Sequence, residues 1–126
     1  MMLIDSDVLI WLTRGHERAK LRLSLINPWR ISAITYMELA QGCRSKQELE
    51  RAKRGLALMQ TQILPLTPVI SERAMILIDA FALSNGLQAA DALIAATAIE
   101  HNLTLLTGNI KHFAPIEQLK IERFEQ

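Results

Sequence analysis

Cysteine occurs once in this 126-residue chain, at Cys43, and histidine three times. That excludes an internal disulfide and any cysteine-rich zinc site. Only a hard-metal site built from carboxylates stays open. Aromatic residues make up 5% of the chain, and no aromatic platform of the kind that stacks single-stranded RNA bases stands out. Glycine and proline are scarce, with five and four residues, and no Gly-, Pro- or Ser-rich linker divides the sequence. No apolar run approaches the roughly 20 residues needed to span a bilayer. The opening Met1-Met2-Leu3-Ile4 meets an acid at Asp5, so it reads as neither signal peptide nor anchor. A cytoplasmic protein without a membrane partner is expected.

What is present is apolar mass in the amount one core needs. Half the residues are hydrophobic and 21% are charged, which excludes a disordered tail and fits a single domain over 1–126. The net charge of +1 hides an asymmetry. Residues 14–54 carry a balance of +6, and the remainder a balance of −5. A basic block facing an acidic remainder suits a site that attracts phosphates while holding a cation; Arg14, Lys46, Arg51 and Arg54 are the candidate phosphate contacts. Solvated helix faces would give the same pattern.

Short apolar runs alternate with helical periodicity. Strands are expected at Leu3-Ile4, Arg30–Ile34, Ile63–Leu66 and Thr104–Thr107, with an edge strand at Leu119–Ile121. Helices are expected from Asp7, over Glu17–Ile26, from a Thr35 cap to Gly42, from Ser45 to about Thr61, from Pro68 to Ser84, and over Ala89–Ile99. This order predicts an α/β/α sandwich around a mainly parallel central sheet of four or five short strands. Ligands of such sheets bind beyond the carboxyl ends of the strands.

Aspartate is rare, with Asp5, Asp7, Asp79 and Asp91 the whole set. Asp5 directly follows the first strand, Glu38 follows the second, and Asp91 stands in the apolar segment Ala89–Ala96. Each has an ordinary structural use. Asp5 or Asp7 serves equally well as a helix cap, and Glu38 as a dipole-stabilised residue of a first turn. Taken together they fit one mechanism. Converging carboxylates repel and raise one another's pKa, so such a cluster persists when a divalent cation neutralises it. Mg²⁺ takes oxygen ligands from few carboxylates plus substrate phosphates, the arrangement of metal-assisted phosphodiester hydrolysis.

The motifs carry a resemblance. Leu3-Ile4-Asp5-Ser6-Asp7-Val8-Leu9-Ile10 resembles the opening motif of PIN-domain ribonucleases, Ile34-Thr35-Tyr36-Met37-Glu38-Leu39 their second, and Ala90–Ala98 around Asp91 their third. Thr104–Asn109 and Lys111-His112-Phe113 are similar to their closing segment. The match spans nearly the whole chain, at the size of VapC-type toxins. It implies a PIN-like fold and a Mg²⁺- or Mn²⁺-dependent endoribonuclease acting on RNA. It also implies a homodimer, inhibited by a cognate antitoxin that inserts into its groove. By position Asp5, Glu38 and Asp91 are the implied catalytic and metal-binding acids. Many relatives have a fourth acid where this chain has Asn109, and often Asn where it has Asp7. An amide orients a water without bringing charge, so Asp7 is the implied compensation. Thr107 and Ser6 are supporting hydroxyls. His112, a loop histidine beside Lys111, is read as exposed and left outside the site.

Two alternatives stand beside this reading. Asp5-Ser6-Asp7 satisfies the D-x-D opening of haloacid-dehalogenase-type phosphotransferases, with Asp5 as nucleophile. The chain is short for that fold and carries no acid at Leu105–Asn109. A catalytically weak PIN relative that binds RNA or protein is favoured only by Asn109.

Overall fold

In the computed structural model, which describes residues 1–126, the chain runs β1 (Met2–Ile4), α1 (Ser6–Thr13), α2 (Glu17–Ser24), β2 (Arg30–Ser32), α3 (Ala33–Gln41) and α4 (Lys46–Leu58). It continues through β3 (Gln62–Leu64), α5 (Pro68–Asn85), α6 (Ala89–Glu100), β4 (Thr104–Thr107), α7 (Ile110–Phe113) and β5 (Ile121–Arg123). The strands form two parallel ladders, β1-β4-β5 and β2-β3. β1 and β2 lie side by side, so the expected parallel sheet is present with its hydrogen bonding interrupted between them. No helix is long and apolar enough to cross a membrane.

Strand alternation sorts the core into two layers. In the β1–β4 register, Leu3 pairs with Leu105 and Ile4 with Leu106. Leu3 and Leu105 join the apolar layer under α5 and α6; Ile4 and Leu106 join the layer under α1 and α2 with Val8, Leu23 and Ile31. Successive side chains of a strand point to opposite faces, so this central strand pair is buried on both, as parallel sheets require. α6 is apolar around most of its circumference, with Ala92, Ile94, Ala95, Ala96 and Ala98 buried. Its small side chains allow close packing against α5, the most extensive helix pair of the fold.

Several boundaries differ from the sequence expectation, each for a local reason. The second strand stops at Ser32, whose Oγ accepts from the Ile34 N–H at 3.2 Å and caps α3. Ala33 and Ile34 are therefore helical, and Thr35 is a buried residue of α3 rather than its cap. α2 ends at Ser24, two residues before the expected Ile26. α4 ends before Gln60, which takes a positive φ of 52°. β3 begins at Gln62, whose N–H donates to the Trp29 carbonyl at 2.8 Å, and ends before Pro65, which has no N–H to give a ladder. The last strand is Ile121–Arg123 because Leu119 packs into the core instead. The turn after β4 continues into the short helix α7, anchored by Phe113 at 0% exposure.

Ser45 caps α4 as expected, Thr67 caps α5 just before the expected start at Pro68, and Gly86 closes α5 in the left-handed region at φ 72°. Ser32 has the more consequential cap, since it sets where α3 starts and hence where Glu38 falls. Ser32→Ala is expected to cost about 1 kcal/mol, read as a lower urea midpoint with an unchanged slope.

Candidate active site

The carboxyl end of β1 is where the chain commits a charged group to the interior. The Asp5 N–H donates to the Leu106 carbonyl at 3.0 Å, extending the β1–β4 ladder by one residue. That register places the Asp5 side chain, 5% exposed, beside Thr107 at the end of β4. Asp5 Oδ2 accepts from Thr107 Oγ1 at 2.7 Å, and Oδ1 accepts from the Ser6 N–H at 2.7 Å, capping α1.

From Asp5 the polar contacts spread in two directions. Ser6 Oγ lies 3.0 Å from Glu38 Oε1 and 3.4 Å from Asp5 Oδ1. A hydroxyl has one proton to give, and the shorter contact shows that it goes to Glu38. On the other side, Thr107 Oγ1 accepts from the Asn109 N–H at 2.9 Å. The Asn109 amide lies 3.2 Å from His112 Nδ1, which lies 3.1 Å from Asp91 Oδ2. Asp91 is the third residue of α6, and the same Oδ2 accepts from the Gln88 N–H at 3.2 Å. Glu38, Asp5 and Asp91, drawn from α3, the β1–α1 junction and α6, thus belong to one chain of contacts through Ser6, Thr107, Asn109 and His112.

Asp7 approaches from the first turn of α1. Its Oδ2 accepts from the Gly108 N–H at 2.9 Å. A side chain on residue 108 would put its Cβ 2.9 Å from that oxygen, so glycine is what permits this approach. Asp7 Oδ1 is buried with no hydrogen-bond partner.

The electrostatics follow from burial without a counter-charge. Asp5 is raised from 3.8 to about 7, first by desolvation and then by the charge of Asp7; its bonds from Thr107 and Ser6 oppose the shift, and Asp91 adds a smaller upward push. Asp7 is also raised, chiefly by desolvation against the bond from Gly108. No lysine or arginine pairs with any of these acids.

No three acidic, histidine or cysteine side chains stand close enough to share one ion as placed. The donor chemistry nevertheless fits a hard divalent cation. It consists of carboxylate oxygens, two of the acids have their ionised form disfavoured by burial, and one buried oxygen lacks any partner. Asp5, Asp7, Ser6, Glu38, Asp91, Thr107 and Asn109 lie along one polar network, joined through intervening side chains and not gathered around one point. Asp5 caps α1 and Asp91 completes the capping box of α6 with Gln88, so capping and clustering coincide.

The basic candidates are not part of this cluster. Arg14 is the C-cap of α1, the full helix length of about 12 Å from Asp5. Lys46, Arg51 and Arg54 are exposed on α4. Arg14 and Arg51 instead line a groove of about 1070 Å³ between α1, the end of α3 and α4, with Leu9, Leu12, Leu39 and Leu56 on its walls. Asp79 is exposed on α5, outside the network. His112 is the residue the sequence reading missed, being half-buried against Asp91 rather than free. The available signal was its spacing of three from Asn109, the reach of one helical turn.

The sequence model of the family described as PIN domain matches residues 2–116. The chain is 39% identical over 124 residues to a Mycobacterium tuberculosis protein named Ribonuclease VapC10, covering 95% of this chain and 91% of that protein. Among solved structures it resembles a toxin–antitoxin complex from Klebsiella pneumoniae, with a TM-score of 0.85, 32% identity and 100% of both chains covered. It also resembles VapBC2 from Rickettsia felis, bound there to a promoter DNA fragment, with a TM-score of 0.79, 26% identity and 98% of both chains.

The elevated Asp5 gives a signed pH dependence. Between 3.8 and about 7 the folded metal-free state binds more protons than the unfolded chain, so stability falls as pH rises through that window. Asp5→Asn removes this slope. In EDTA the variant is expected to melt above wild type at a pH beyond about 7, with the advantage gone at a pH below 3.8. A constant offset at both ends would reduce Asp5 to an ordinary cap.

Proposed function

Because the chain belongs to the PIN-domain family, we propose that it is a Mg²⁺- or Mn²⁺-dependent endoribonuclease, the toxin of a toxin–antitoxin pair acting in the cytoplasm. The observation that carries this reading is the buried Asp5, linked to Glu38 through Ser6 and to Asp91 through Thr107, Asn109 and His112, with no lysine or arginine to balance the charge. The relatives' names support the activity and the partner class.

Asp5, Glu38 and Asp91 would hold the cation, with Asp7 beside them. A divalent ion bound there supplies water activation and stabilisation of charge on the leaving oxygen. The chain's own residues do the positioning. Thr107 and Ser6 hold Asp5 by both oxygens, and Ser6 keeps Glu38 toward it. Asp7, pinned to Gly108, adds the negative charge that Asn109 does not. The family match over residues 2–116 and the lack of any acid at Leu105–Asn109 disfavour the phosphotransferase alternative.

Two apolar surfaces support the protein partners. The groove between α1, α3 and α4 suits an apolar antitoxin segment, with Arg14, Arg44 and Arg51 at its walls for acidic side chains. Lys46 and Arg54 remain exposed and form no ion pair, which leaves them to RNA phosphates. On α5, Val69, Ile76 and Leu83 are exposed at seven-residue spacing with Met75 beside them. Such a stripe suits a helix of a second copy.

The purified chain, freed of any partner, is expected to cleave RNA with Mn²⁺ and to stop in EDTA. Asp5→Asn, Glu38→Gln and Asp91→Asn should each lower the rate at least about 100-fold while remaining folded. Full activity in all three folded variants refutes the site. Ile76→Glu tests the second surface: sedimentation is expected to shift from dimer to monomer without loss of helicity. Identical sedimentation of variant and wild type removes α5 from the interface.

A further inference from the structure

His112 stands apart from the other members of the network, because its role follows from hydrogen-bond directions that the acids alone do not reveal. It lies on α7, where the neighbouring Phe113 is fully buried and holds the turn against the core. Its Nδ1 faces two groups, Asp91 Oδ2 at 3.1 Å and the Asn109 amide at 3.2 Å. Asp91 Oδ2 already accepts from the Gln88 N–H. A carboxylate oxygen facing a bare ring nitrogen would set two lone pairs against each other, so Nδ1 carries the proton and donates. The Asn109 amide then cannot donate to Nδ1. Its two ends interchange by a half-turn, which turns its oxygen to the ring and avoids setting two N–H donors against each other.

We propose that His112, protonated at Nδ1, is the positioning residue for Asp91. Together with the Gln88 N–H it holds Oδ2, leaving Asp91 Oδ1, which takes no bond from the chain, as the oxygen presented to the crevice. In this respect the Asn109–His112 pair orients an acid instead of adding one. The role in catalysis rests on the nuclease reading above; the ring geometry does not. Partners that orient a ligating carboxylate typically affect metal affinity or activity about 10–100-fold.

The first measurement uses the metal-free full chain with isotope-labelled histidine, read by nitrogen–proton correlations at mildly alkaline pH. His112, assigned by the signal missing in His112→Asn, is expected as the Nδ1–H tautomer. In Asp91→Ala it should revert toward the Nε2–H form. An Nε2–H tautomer in wild type overturns the proposal, whatever the protein does to RNA.

The second measurement compares two replacements. Asn places an amide nitrogen where Nδ1 stands and keeps the donor to Asp91; Leu keeps bulk and removes it. His112→Leu is expected to weaken Mn²⁺ binding, followed by the spin resonance of the free ion, and to lower kcat about 10–100-fold with KM little changed. His112→Asn should restore most of both. If Asn is as damaging as Leu in a folded protein, the positioning role fails. If wild type binds no Mn²⁺ and cuts no RNA, the nuclease reading falls, and the tautomer alone decides the inference about His112.

Discussion

The 3.0 Å hydrogen bond from the Asp5 N–H to the Leu106 carbonyl fixes the register in which β1 meets β4, and the site depends on that register. With Leu3 opposite Leu105 and Ile4 opposite Leu106, the next residues along are Asp5 and Thr107, and their side chains meet at 2.7 Å. A slip of one residue would turn every side chain of β1 to the other layer. It would also bring Leu106 toward the carboxylate in place of a hydroxyl. The two apolar layers resist that slip, since it would carry Leu3 and Ile4 into each other's environments. Core packing therefore positions an acid it could not otherwise tolerate.

The cost of that acid follows from its burial. Burial and the neighbouring charge of Asp7 raise Asp5 to about 7 although two hydrogen bonds favour its ionised form. A fold selected for stability alone would place a neutral residue there. Retaining the carboxylates trades stability for chemistry, a pattern common at functional sites. The hydroxyls limit the cost in an economical way: Thr107 Oγ1 donates to Asp5 and accepts from the Asn109 N–H, so one side chain both anchors the acid and shapes the turn into α7.

The acidic cluster and the apolar groove are kept apart by the length of α1. Its N-terminus is capped by the acid of the site; its C-terminal half forms one wall of the apolar groove. A segment seated in the groove would press on the same helix whose first turn carries Ser6 and Asp7.

The sequence by itself determined the class of fold, the alternation of strands and helices, and the acids Asp5, Glu38 and Asp91. These follow from local signals: apolar runs of strand length, helix-starting residues such as Ser45 and Pro68, and acids set after a strand or within an apolar segment. The mature boundaries were less legible. Ser32 competed with Thr35 for the cap of α3, and only the packing of Thr35 into the interior decided between them. The edge strand shifted to Ile121–Arg123 because Leu119 is taken by the core. His112 was illegible for the same kind of reason. Its partner Asp91 is 21 residues away in the chain, and their meeting requires α6 and α7 to be placed by Ala-rich packing and by Phe113. Local periodicity specifies elements; only the register of β1 on β4 and the burial of those anchors decided which polar groups would face one another.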